Sequence, residues 1–128
     1  MTLKEAIDRL DAAKPNTFDE AEKTAWLSAL DGMVKLEVID THEGGELVSF
    51  EGYGPETSGG TVLLIPPPYD TVYLRWLEAR IDYANGESDR YNNSAAAFNA
   101  EYASYVNYYN RTHMPRTAVL KYFGGGGA

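Results

Sequence analysis

The chain of 128 residues has no cysteine and two histidines. The first absence excludes disulfides, thiolate nucleophiles and cysteine-held zinc or iron–sulfur clusters. The second makes His42 and His113 the sole imidazoles, so a metal site would need these distant residues to meet beside carboxylates such as Asp40 or Glu43. A solvated polar turn is the plainer reading of Asp40, His42 and Glu43. No apolar run approaches membrane-spanning length, and residues 1–10 alternate apolar and charged side chains, unlike a secretory signal. A soluble, unprocessed chain with no membrane partner is expected. Positive charge is scarce too: 11 Lys and Arg stand against 19 Asp and Glu, a net charge of −8. The excess is confined to residues 1–64, with 5 basic against 13 acidic side chains, while residues 65–128 carry 6 of each. Such a surface opposes tight wrapping of nucleic acid, which needs clustered Lys and Arg. Zincin, nucleophile-elbow and phosphate-loop motifs are all missing, and no cofactor is implied.

What is present is helical pattern. Thr2 and Glu5 have capping-box spacing ahead of Leu3, Ile7 and Leu10, predicting a first helix to about Ala13 that ends at Lys14, Pro15 and Asn16. Thr17 and Glu20 repeat the signature before a second helix carrying Trp26, Leu27, Leu30, Val34 and Val38. Gly32 weakens that helix by roughly 1 kcal/mol without breaking it. Leu47, Val48 and Phe50, and then residues 62–65, are short strand candidates that pair as a hairpin or stand alone. The glycine-rich loop between them reads as a flexible connection, or as a segment that orders on meeting a neighbour. Asp70 is a helix cap after the proline run, leading into Leu74, Leu77 and Ile81.

Beyond lies a ladder at Tyr91, Ala95, Phe98, Tyr102, Tyr105 and Tyr109, all on one helix face. Its three-four phase runs unbroken from Leu74 across Gly86. Residues 70–112 therefore read either as one long helix kinked at Gly86 or as a helical hairpin capped at Ser88. The ladder is either a core-facing stripe or a contact surface. Tyr83 and Tyr108 lie off the stripe, more aromatic surface than a core face requires, which points to protein contact. The candidate contact residues are Tyr102, Tyr105, Tyr108, Tyr109 and Arg111, with Trp26 and Leu30 inside the subunit. The fold class is mainly α: a small helical bundle with two long amphipathic segments and a minor β-hairpin or short strands near 46–65. It forms one domain over 1–123, followed by a flexible glycine-rich tail over 124–128.

Two blocks, TAWLSALDGMVKLEVID at 24–40 and PPYDTVYLRWLEARIDYANGESDRYNNSAAAFNAEYASYVNYYNRTHMP at 67–115, resemble head–tail connector (adaptor) proteins of tailed bacteriophages and prophages. The resemblance implies a non-enzymatic structural protein of the virion, made in the host bacterial cytoplasm. It also implies a homo-oligomeric ring, formed with the portal as template, that receives a tail-completion protein while DNA passes without sequence-specific binding. Residues 1–16 and the glycine-rich middle carry no motif of that family. Two other classes stand beside it: a small protein- or ligand-binding module using exposed tyrosines, and a hydrolase built on a carboxylate pair.

Overall fold

The computed structural model describes residues 1–116, and the tail expected at 124–128 lies outside the described residues. Four α-helices account for most of it: α1 (Leu3–Ala13), α2 (Glu20–Val34), α3 (Val72–Ala84) and α4 (Ser88–Thr112). The mainly helical bundle follows from the apolar spacing of each segment. Helix α3 is the shared element, packing against α1, α2 and, most extensively, α4.

The expected capping box closes α1, with Thr2 Oγ1 accepting from the Glu5 amide and Glu5 Oε1 from the Thr2 amide. Helix α2 starts later than expected. Asn16 accepts from the Phe18 amide, which holds residues 16–18 in a turn, and Asp19 takes the cap by accepting from the Glu22 amide at 2.8 Å. Gly32 sits within α2 unbroken, facing Phe50. Past Val34 the helix widens into a π-helical turn, Lys35–Ile39, where the Asp40 amide donates to the Lys35 carbonyl. The extra residue per turn lets the adjacent Val38 and Ile39 both reach the core. Lys35 fastens this turn by bonding the Asp40 carboxylate and, at 2.8 Å, the Gly45 carbonyl.

Gly86 turns the chain rather than kinking it. Its φ is +70°, and it is the left-handed residue of a Schellman motif in which the Gly86 amide donates to Tyr83 and the Glu87 amide to Asp82. Helices α3 and α4 thus form the antiparallel hairpin. The expected side-chain caps are both replaced: a 3-10 turn, Tyr69–Thr71, leads into α3, and Glu87 rather than Ser88 precedes α4, neither with a side-chain cap.

The β element expected at 46–65 reduces to isolated bridges. Gly45–Leu47 is a 3-10 turn and, among the described residues, only Thr2 with Val62 and His42 with Pro115 pair in β fashion. Nor is the glycine-rich segment a loose connection. It lies as a strap over α1 and α2, with the Leu3 amide donating to Thr61, the Lys4 amide to Gly59 and the Tyr53 amide to Ser28 Oγ. Leu63 and Ile65 follow it into the core. Long-range backbone bonds hold the strap down, and these leave no periodic trace in a sequence.

Candidate protein-contact surface

The five candidate residues occupy the C-terminal half of α4, whose ladder faces the bundle. Tyr105 is 1% exposed, so its ring belongs to the core and leaves nothing for a neighbouring copy to touch. This corrects its assignment to a contact surface. A ring of that size contributes about 2 kcal/mol when buried, and the space beside α3 and Tyr69 receives it. Tyr102, Tyr108 and Tyr109 are half-buried against the same core. Tyr102 stacks on Phe98 at 5.4 Å, and Tyr108 stacks on Tyr69 at 4.8 Å. Tyr109 lies flat on His113, 3.7 Å between centroids, with His42 against its edge at 4.8 Å. Only Arg111 is fully at the surface, and it makes no ion pair among the described residues.

Burial dominates the electrostatics of this face. It pushes the Tyr102 hydroxyl up to about 12, with Glu37 and Asp31 adding to the shift, and raises Tyr105 and Tyr109 as well. Tyr102 Oη is buried without a hydrogen-bond partner among the described residues. The two histidines do approach, with ring centroids 6.2 Å apart. His42 is 5% exposed rather than part of a solvated turn: its Nδ1 donates to the Val38 carbonyl at 2.6 Å, and Nε2 lies 2.9 Å from Asn110 Oδ1. Among the described residues no group of three or more His, Cys, Asp or Glu comes together to hold a metal ion. None of the described helices is long and apolar enough to cross a membrane.

Three buried charged groups escape sequence reasoning. Asp31, 0% exposed on the core face of α2, accepts from Tyr53 Oη at 2.5 Å, Tyr73 Oη at 2.6 Å and the Leu64 amide at 3.0 Å. Tyr73 Oη in turn accepts from the Ile65 amide at 2.7 Å. Burial raises the Asp31 carboxyl above its ordinary range in spite of these donors, and raises both tyrosine hydroxyls, which stay protonated and donating. Asp82 of α3 binds Lys14 at 2.5 Å and Ser94 Oγ at 2.9 Å, tying α1, α3 and α4 together. Lys23 reaches Asp11 at 2.6 Å across α1 and α2. The one available signal was position: Asp31 interrupts the Leu27, Leu30, Val34 stripe, where a solvated charge does not belong.

A second surface lies at the opposite end of α4. Around the α3–α4 turn, Asp82, Tyr83, Glu87, Tyr91 and Asn92 line an open hollow of about 220 Å³. Tyr83 is 62% exposed and meets Tyr91 edge-on, 5.4 Å between centroids. Arg80 already rests 5.4 Å from the Tyr83 ring centroid. Comparison with protein-family models, curated proteins and solved structures gives no match to this chain.

Proposed function

We propose that this chain is a non-enzymatic assembly component of the phage head–tail connector type, building a ring by repeated contact between copies on a portal template. The observation that carries the reading is the presence of exposed apolar side chains at both ends of α4. Tyr83, 62% exposed, stands beside its start, and Met114, 63% exposed, just beyond its finish. A heterologous contact requires two different surfaces on each copy, and closes when the rotation between copies divides a circle. Two further points support it: the resemblance of residues 24–40 and 67–115 to connector proteins, and the consumption of the buried titratable groups in bracing. Asp31, Asp82 and Lys23 each spend their polar atoms on joining elements of the bundle.

The binding-module alternative needs several aromatic rings on one accessible face. Among the nine described tyrosines only Tyr83 is exposed beyond the half-buried class, so that reading has less to stand on. The test is sedimentation of the purified chain with a phage portal ring. The expected result is a ring-shaped complex visible by electron microscopy. A chain that stays monomeric at high concentration with the portal present would overturn the reading.

A further inference from the structure

The hollow at the α3–α4 turn has the chemistry of a site for a cationic side chain. Two tyrosine rings meet at its wall, and aromatic faces attract guanidinium groups, as Arg80 against Tyr83 already illustrates. The carboxylates at its rim are Asp82 and Glu87. Asp82 is occupied by Lys14 and Ser94. Glu87 is shared with Arg90 at 3.2 Å, but that pair is open to water, with side chains 41% and 70% exposed, so it exchanges partners at little cost. Among the described residues no basic side chain lines the hollow itself.

At the far end of the same helix is a cation to match it. Arg111 is exposed and makes no ion pair among the described residues, whereas Arg75, Arg90 and Arg116 each hold a carboxylate. Tyr91 and Arg111 are about 30 Å apart along α4 at about 1.5 Å per residue, so Arg111 cannot reach the hollow of its own chain. The exposed face of α4 between them, including Asn92, Ala96, Asn99, Ala103 and Asn107, carries no charge.

We infer that Arg111 of one copy docks in the Tyr83–Tyr91–Glu87 hollow of the next, a head-to-tail contact that uses both ends of α4. The inference rests on the ring-forming reading and names its interface. Because hollow and guest are separate surfaces, each copy offers one of each, and the contact propagates until it closes.

The chain's lack of cysteine makes the test clean. Ser88→Cys, in the lining of the hollow, and Thr112→Cys, beside Arg111, alter exposed side chains and leave Tyr83 and Arg111 themselves in place. Assembled with the portal ring and oxidised, the double variant is expected to give a disulfide ladder beyond dimer on a non-reducing gel, while each single variant stops at dimer or below. In the cysteine-free chain, Arg111→Glu is expected to raise the concentration needed for assembly about tenfold. Rings that form without the ladder would overturn this contact and leave the ring reading intact. Double-variant crosslinks that end at dimer would keep the docking of Arg111 but overturn its head-to-tail arrangement, and the ring with it. Absence of any crosslink or assembly would overturn both.

Discussion

Replacing Tyr73 by phenylalanine removes a single oxygen, yet that oxygen serves two buried partners. It donates to Asp31 at 2.6 Å and accepts from the Ile65 amide at 2.7 Å, with Tyr73 and Asp31 both 0% exposed. A hydrogen bond to a charged group contributes about 1.5–3 kcal/mol, and a buried amide left without a partner costs about 1–3 kcal/mol. Tyr73→Phe should therefore cost about 3–5 kcal/mol, a large share of the roughly 5–15 kcal/mol that holds such a domain together. Tyr53 offers the control. Its hydroxyl makes the other bond to Asp31, but its ring is half-buried and accepts from no amide, so water can replace what Tyr53→Phe removes, at about 1–2 kcal/mol. Urea denaturation of both variants, with unchanged slopes, gives the comparison directly. If Tyr53→Phe proved equal to or costlier than Tyr73→Phe, the account of Tyr73 as the centre of this network would be wrong.

The same network sets a pH dependence. Asp31 has its carboxyl raised by burial, so between the unfolded value near 3.8 and the higher native one the folded state binds more protons than the unfolded state. This group's contribution to stability accordingly falls as pH rises through that window. Asp31→Asn should flatten that slope whatever its absolute stability, and urea midpoints measured across the acidic range would show it. A wild type that gains stability relative to Asp31→Asn as pH rises would contradict the assignment. Two glycines should separate by mechanism in thermal melts. Gly86→Ala meets no atom of the described residues within 4 Å and suffers from φ of +70°, about 1 kcal/mol, whereas a Cβ at Gly45 would lie 2.5 Å from the Ile39 carbonyl oxygen. Gly45→Ala should cost about 2–3 kcal/mol, and the opposite order would count against the packing of the π-helical turn.

How much of this was legible in the sequence depended on the range of the interaction. Thr2 and Glu5 announced α1 because a capping box is completed within four residues. The ladder correctly marked the inward side of α4, but its phase across Gly86 was a coincidence of two helices. Leu77 and Ile81 face the core of α3, Phe98 and Tyr105 that of α4, and the intervening Ala84 and Ser88 are exposed. Excess tyrosine suggested contact beyond the subunit. Most of it is instead spent within: Tyr69 under Tyr108, Tyr73 on Asp31, Tyr109 between two histidines. The partners of the buried charges were illegible because Asp31 and Tyr73, or Lys14 and Asp82, meet only once distant segments have folded together. Of the α3–α4 hollow, the sequence offered only the off-stripe position of Tyr83.

The strap does more than cross the bundle. A helix begins with amides that have no carbonyl behind them, and in α1 the amides of Leu3 and Lys4 are answered by Thr61 and Gly59, with Thr2 serving Glu5. The helix therefore borrows its missing preceding turn from a segment more than fifty residues away in the chain. In native-state hydrogen exchange, α1 and residues 59–63 should open as one cooperative unit, so the glycine-rich stretch, the least patterned part of the sequence, governs when its most clearly marked helix unravels.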